Sequence, residues 1–346
     1  MAVKNIPNDW QRGVSLARYT TLQVGGPAEF FVTVSNCEEL QMAITCAQAL
    51  AIPVTIIGGG SNVLVADAGV PGLVIHMAVA GVERLETDEQ VKFRCGAGIN
   101  FDTLVADTVA AGWWGLENLS AIPGTVGATP IQNVGAYGVE VADVIESVEV
   151  YDYRLERAFT LSAKQCKFSY RYSIFKSEEA RYWIVTAVIF TLSRLPCPKL
   201  AYPDLAPLRE HKLSEPGLVR QHVIDVRNQK FPDWKVVGTA GSFFKNPVVD
   251  IKKYQQLQIK YPDLPGYPTT EGMMKIPLGW ILDRVCGLRG YQDGAVATYD
   301  KQALVLVQTG GATTADIQRV AHHIQDSVLS ATGINIEYEV TTLPEK

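Results

Sequence analysis

Several signatures are missing from these 346 residues, and each absence excludes a class of function. There are only five histidines, and the two that lie close together, His322 and His323, are adjacent where a helical zinc site needs i, i+4 spacing. The six cysteines (Cys37, Cys46, Cys95, Cys166, Cys197, Cys286) contain no C-x-x-C pair. They predict neither a disulfide framework nor a metal knuckle, but reduced, buried thiols. No stretch reaches the ~18 consecutive apolar residues of a membrane helix. Met1 to Gly13 holds Lys4, Asp9 and Arg12 and no apolar core, so the chain reads as untargeted, soluble and cytoplasmic. With 31 Lys+Arg against 36 Asp+Glu, the net charge is -5 and no basic run occurs, which argues against nucleic acid as a partner. Small anions are not excluded, because a few local cations and backbone amides suffice to bind them. What is present is ordinary globular composition, 47% hydrophobic and 19% charged, in a chain too long for one core; two or three packed units are expected.

Along the chain, Phe30 to Val34 reads as a strand, Glu38 to Leu50 as a helix with Leu40, Ile44 and Ala47 at helical spacing, and Pro53 to Ile57 as a second strand. Gly58, Gly59, Gly60, Ser61 and Asn62 follow at its C-terminal end, where open α/β sheets bind ligands. Leu73 to Cys95 is strand-rich and Phe101 to Ala111 is helical. Leu119 to Gly138 is too rich in Gly and Pro for a regular element and reads as a long ordered loop. Strands return at Val144 to Tyr153 and Trp183 to Leu192, the second apolar on both faces. Residues 194 to 216 carry five prolines and read as a connection, with a further domain starting near Val219. Thr313 and Thr314 can cap a helix striped by Ile317, Val320, Ala321, Ile324 and Val328 and closed by Gly333. Ile334 to Val340 then alternates as a strand, with Glu337 and Glu339 on one face.

Consecutive glycines at a strand end allow close backbone approach to a phosphate, so Gly58 to Asn62 is a candidate loop; a plain tight turn fits equally well. Gly96-Ala-Gly98 lacks the third glycine of a Rossmann fingerprint, and no Walker lysine is present. The long Ile122 to Gly138 loop strengthens a ligand reading, and two such loops suit an extended dinucleotide. Ser242, between small residues and two phenylalanines, has no G-x-S-x-G context and no partner histidine. Hydrogen bonding or proton donation remains open to it, as does an ordinary turn. Glu337 and Glu339 would stand about 6.5 to 7 Å apart, on a solvated face or against a ligand. Arg171, bracketed by Tyr170 and Tyr172, can orient on a carboxylate or serve the structure.

Seven segments together resemble one family. They are TTLQVGGPA (20–28), GGGSNVL (58–64), GLENLSAIPGTVG (115–127), PIQNVGAYG (130–138), YRYSIFK (170–176), GSFFKNP (241–247) and IEYEV (336–340), covering nearly the whole chain. They resemble the UDP-N-acetylenolpyruvoylglucosamine reductases of peptidoglycan precursor synthesis, in their longer subgroup. The resemblance implies an α+β fold: a vanillyl-alcohol-oxidase-type (PCMH-type) FAD-binding domain of two α+β lobes over 20–195, a Pro-rich connection over 196–218 carrying Tyr202, and an α+β substrate-binding domain over 219–346. It implies non-covalent FAD, NADPH as reductant and a UDP-sugar substrate, with hydride passing from NADPH through FAD to the enolpyruvyl methylene.

By motif, the resemblance assigns Ser242 as proton donor to the neighbouring carbon and Arg171 and Glu339 as the groups that polarise the carboxylate. It gives FAD to Gly58, Gly59, Gly60, Ser61, Asn62, Ile122, Pro123, Gly124, Gly127, Gln132, Asn133, Gly135, Ala136 and Tyr137. Substrate falls to Tyr202, a mobile tyrosine that closes over it, and to Tyr170, Lys230, Asn246 and Gln302. Two positions depart from the common pattern: Tyr172 stands where many members have Asp, and Tyr338 where some have Pro. A flavin oxidase using O2 and a non-catalytic sugar-nucleotide binder are the competing readings; retention of Ser242, Arg171 and Glu339 argues against the second.

Overall fold

The computed structural model describes residues 6–86, 89–210, 214–269 and 271–344; Lys4 and residues 211–213 of the Pro-rich stretch lie outside the described residues. The chain divides into two compact units, each discontinuous: Met1–Val14, Ala28–Gly60 and Val70–Asn228 form the first, and Ser15–Pro27, Ser61–Gly69 and Gln229–Lys346 the second.

Two sheets build the first unit. One has the order Gln11–Ser15, Pro27–Val34, Val70–Met77, Val54–Ile57, and its last three strands run parallel. The helix Cys37–Ala49 makes the crossover from Pro27–Val34 to the parallel strand Val54–Ile57, with Val70–Met77 between the two in the sheet. Asn36 caps this helix by accepting from Glu39 N at 2.9 Å, and Leu40, Ala43, Ile44 and Ala47 face the sheet. The other sheet is antiparallel, in the order Arg157–Ser162, Ile145–Asp152, Trp183–Ser193, Gln90–Gly96, Val82–Glu86. Its central strand Trp183–Ser193 buries residues of both parities, which is why that segment reads as a continuous apolar run. The helix Phe101–Ala110 packs Phe101, Leu104, Val105 and Val109 into the same core.

The Pro-rich stretch is not a bare connection. Pro203–Glu210 forms a 3-10 helix whose Leu205 and Leu208 are buried, and the helix Gly217–Lys230 adds Val219, Val223 and Val226 to a cluster with Trp114 and Tyr137. That packing assigns residues 217–228 to the first unit, so the compact units divide at Asn228, ten residues beyond the boundary that proline content suggests.

In the second unit an antiparallel sheet runs Gly238–Ser242, Gln302–Gln308, Val296–Tyr299, Gln292–Asp293, and the helix Thr314–Thr332 lies in its core. Thr313 and Asp316 form the capping box, and Gly333 ends the helix at φ +67, as the sequence leads one to expect. Ile334 to Val340 differs from expectation. Its burial alternates, yet only one bridge, Phe244 to Tyr338, forms there, and the strand is Thr341–Leu343, parallel to Val63–Val65. Phe243 and Ser242 pair on one edge with the strand Gln302–Gln308, and the arriving chain bonds the other edge only around Phe243 to Lys245.

The thiols also differ from expectation: Cys95 and Cys166 are buried and pushed up to about 12 by desolvation, but Cys37 and Cys197 are exposed. No helix among the described residues is long and apolar enough to cross a membrane.

Candidate functional site

In the first unit the two glycine-rich loops touch. The strand Val54–Ile57 ends and the chain turns through Gly58, Gly59 and Gly60, the last at φ +59. A Cβ on Gly58 would lie 2.5 Å from Thr125 Oγ1, and one on Gly59 would lie 2.9 Å from Gly124 Cα. Only glycine permits that approach. The second loop is in turn registered on the segment leading into the helix Phe101–Ala110. Val126 N donates to Ile99 O at 2.8 Å, Gly127 N to Ala97 O at 2.8 Å, and Phe101 N to Gly124 O at 3.0 Å. A side chain at Gly127 would collide with Ala97 Cβ at 2.6 Å. Ile122 and Pro123 are half-buried beside these glycines. The result is a backbone-rich surface without bulky side chains, suited to a pyrophosphate and the body of a dinucleotide.

The arginine motif lies along the continuation of the same loop. Ser169 and Tyr172 exchange backbone hydrogen bonds at 3.0 and 3.1 Å, closing a two-residue turn with Tyr170 and Arg171 at its tip and Arg171 at φ +55. Arg171 Nη2 donates to Gly135 O at 3.2 Å, and its guanidinium carbon sits 5.4 Å from the Tyr170 ring centre. Ser173 Oγ donates to Ile131 O at 2.7 Å. Asn133, fully buried at φ +47, completes the join: its Nδ2 donates to Glu140 Oε2 at 2.6 Å and to Ser169 O at 3.1 Å, while its Oδ1 accepts from Ala142 N at 3.1 Å. Its side chain is committed to protein, so what Asn133 can offer a cofactor is its backbone. Gln132, Gly135 and Ala136 are half-buried on this loop.

Tyr137 is buried, and desolvation pushes its phenol up to about 12. Tyr202 meets it edge-on with ring centres 5.3 Å apart and is 40% exposed. Arg227 hydrogen-bonds the Tyr137 phenol from the helix Gly217–Lys230; burial lowers its guanidinium. Sequence reading passed over Arg227. Its signal was a charge next to the apolar positions Val219, Val223 and Val226 of that helix.

In the second unit Ser242 ends the strand Gly238–Ser242, whose pairing shifts register between Thr239 and Ser242, with Gly241 at φ +70 inside the irregularity. Such a bulge re-aims the residue that follows it. The segment bearing Glu339 is bonded alongside: Glu339 N donates to Phe243 O at 2.8 Å and Lys245 N to Glu337 O at 3.0 Å. The segments carrying Ser242 and Glu339 therefore run side by side, joined at Phe243. Glu337 is exposed and paired with Lys245 Nζ at 2.8 Å, whereas Glu339 is half-buried. Tyr338 packs between Phe243 and Phe244, with ring centres at 5.0 and 5.4 Å. That departure from Pro thus gives the segment an aromatic anchor; Tyr172, the other departure, is 40% exposed.

Asn62, read with the glycines as one loop, lies in the second unit, where Nδ2 donates to Glu339 O at 3.0 Å and its carbonyl accepts from Thr341 N at 2.9 Å. Ser61 is half-buried next to it. Asn246 Oδ1 caps Leu278 N at 2.8 Å, leaving its amide nitrogen as the donor, and Gln302 Oε1 lies where a Cβ on Gly279 would sit 2.7 Å away. Both amides thus gather at the start of one short helix, Leu278–Trp280. Lys230 is half-buried at the end of its helix. Ser242, Glu339, Asn246 and Gln302 are thus carried by one unit, and Arg171, Tyr170, Tyr202 and the glycine loops by the other.

Comparison with known proteins accounts for this division. A family model described as the FAD binding domain matches residues 28–155, and one described as the C-terminal domain of UDP-N-acetylenolpyruvoylglucosamine reductase matches 232–343. The reductase of that name from Neisseria gonorrhoeae is 40% identical over 334 residues, 95% of this chain and 96% of that protein. The one from Chromobacterium violaceum is 40% identical over 337 residues, 94% and 96% of the two. Among solved structures, the UDP-N-acetylenolpyruvylglucosamine reductase of Thermus caldophilus superposes with a TM-score of 0.69 at 27% identity, covering 97% of this chain and 99% of that one.

Proposed function

The chain belongs to the UDP-N-acetylenolpyruvoylglucosamine reductase family, and from that premise we propose how its residues divide the reaction. The protein is an FAD-containing, NADPH-using oxidoreductase that reduces the enolpyruvyl ether of UDP-N-acetylglucosamine to UDP-N-acetylmuramate. We place it in the cytoplasm, where nucleotide-linked precursors and NADPH are found.

When bound, FAD carries the hydride from NADPH to the methylene carbon of the enolpyruvyl group. The touching loops Gly58–Gly60 and Ile122–Gly127 fit that group, because their backbones meet without side chains between them. Hydride addition leaves enolate character on the adjacent carbon and its carboxylate. Arg171 and Glu339 hold the carboxylate in this enol-like form, and Ser242 Oγ gives its proton to the carbon, recovering one from solvent. A serine hydroxyl is a weak acid, so the step relies on a positioned group facing a much stronger base. Asn246 and Gln302 take the diphosphate, Lys230 stands near the nicotinamide and substrate, and Tyr202 closes over the substrate from its place on Tyr137. The observation that carries the assignment is the backbone bond from Glu339 N to Phe243 O, which fixes the two catalytic segments of the second unit side by side.

Ser242→Ala tests it in anaerobic half-reactions. Bleaching of the flavin by NADPH should proceed at the wild-type rate, while reoxidation by the enolpyruvyl sugar nucleotide should slow by about 10² to 10⁴, the contribution of a general acid. Reoxidation at the wild-type rate would remove Ser242 from the mechanism.

A further inference from the structure

We propose that Asp102 and Arg220 are positioning residues that clamp the flavin-binding loop from its N-terminal side, an inference that rests on the reading of Ile122–Gly127 as an FAD loop. The C-terminal half of that loop is bonded through the backbone of Gly124, Val126 and Gly127 to residues 97–101, with Thr129 Oγ1 donating to Val126 O at 2.8 Å. Its entry is held differently. Ala121, a non-glycine residue at φ +58, donates its N–H to Asp102 Oδ1 at 2.6 Å. A left-handed alanine persists only where its surroundings over-determine it, and this carboxylate is the constraint in view. The next two residues, Ile122 and Pro123, begin the loop, and Pro123 has no N–H of its own.

Arg220 in turn fixes Asp102. Its Nη1 donates to Oδ1 at 2.6 Å and its Nη2 to Oδ2 at 3.3 Å, a two-pronged contact in which the arginine side chain is only 17% exposed. Bidentate pairs of this kind restrict orientation as well as distance. Arg220 stands on the helix Gly217–Lys230, seven residues before Arg227, which hydrogen-bonds Tyr137 at the far end of the same long loop, Ile122–Gly138. Two turns apart, the two arginines lie on one face of the helix. One helix thus grips the entry of this long loop through Asp102 and its end through Tyr137. Burial within the cluster around Trp114 and Leu205 makes that helix a rigid mount.

The test follows FAD retention, read as flavin fluorescence released on serial dilution of the full-length holoenzyme, with thermal unfolding measured on the same samples. Asp102→Ala should weaken FAD binding about tenfold or more, the effect of losing a charge-assisted hydrogen bond on a loop that contacts the ligand. Asp102→Asn keeps an acceptor for Ala121 and should recover most of that loss. Arg220→Met, which leaves the Ala121 bond in place, should weaken binding by a smaller factor and broaden the flavin absorption band. Gly124→Ala serves as reference because it alters the loop directly. If Gly124→Ala releases FAD while Asp102→Ala and Arg220→Met retain it as wild type does, the clamp is overturned. Failure of Gly124→Ala to release FAD would instead overturn the loop assignment beneath it. Should Asp102→Ala fail to fold, Arg220→Met and Asp102→Asn still decide the matter. FAD loss that tracks lowered unfolding temperature in every variant, with no recovery by Asn, would reduce the pair to a stability role and contradict the proposal.

Discussion

Glu337 and Glu339 show what a single position contributes. The alternating pattern puts both on one face, and only the structure separates an exposed carboxylate paired with Lys245 from a half-buried one bonded through its backbone to Phe243. An exposed ion pair is worth roughly 0 to 1 kcal/mol. Glu337→Gln should therefore leave turnover and stability near wild type, whereas Glu339→Gln should lower kcat, as steady-state kinetics and thermal unfolding would reveal. Tyr338 offers a sharper case. Its hydroxyl is buried and meets no hydrogen-bonding group of the described residues, while its ring is held by two phenylalanines. Tyr338→Phe keeps the packing and removes a buried polar group, so stability should hold or rise by about 1 kcal/mol in denaturant unfolding; a marked loss would mean that the hydroxyl is bonded. Asn133→Ala is the converse. It strands Glu140, Ser169 O and Ala142 N at once and should cost about 2 to 4 kcal/mol. Motif resemblance pointed to Asn133 as a cofactor contact; its hydrogen bond to the Arg171 turn joins residues 36 apart and has no local signal.

Elements were legible where a local rule decides them. The helix Thr314–Thr332 carries its stripe, capping box and terminal glycine in the sequence, and the strand before Gly58 and the helix from Phe101 are legible from local pattern. The loops were legible as loops, but not their contact with each other. That contact makes a further prediction: Gly59→Ala would place a Cβ 2.9 Å from Gly124 Cα, forcing the two loops apart, and FAD affinity should fall about tenfold or more in a flavin titration. Two elements misled. Ile334–Val340 has the alternation of a strand but pairs only at the single bridge Phe244 to Tyr338, and the Pro-rich stretch hides buried Leu205 and Leu208. Both depend on partners distant in sequence, which composition does not register.

For the whole molecule, a net charge of -5 must coexist with two polyanionic ligands, so attraction has to be local. Charge also sets the pH response. Asp102, with Arg220 and the Ala121 amide outweighing its desolvation, and Glu146, beside Lys92 and Thr191, are held below their ordinary values. Groups lowered in the folded state contribute stability above their unfolded pKa values and lose it as pH falls through the folded ones. Glu117, raised by burial, has the opposite sign: its contribution is complete below its unfolded value and is lost as pH rises through the folded one. Unfolding temperature should therefore drop in the acid range below about pH 4, and Asp102→Ala should flatten part of that drop.

The central claim, that this chain moves hydride from NADPH to an enolpyruvyl sugar nucleotide through FAD, is met most directly by a pair of anaerobic stopped-flow half-reactions on the purified yellow protein. NADPH should bleach the flavin, and the enolpyruvyl-UDP-N-acetylglucosamine should restore its colour rapidly while air does so only slowly. A flavin that NADPH leaves oxidised, or that oxygen reoxidises faster than the sugar nucleotide, would contradict the account.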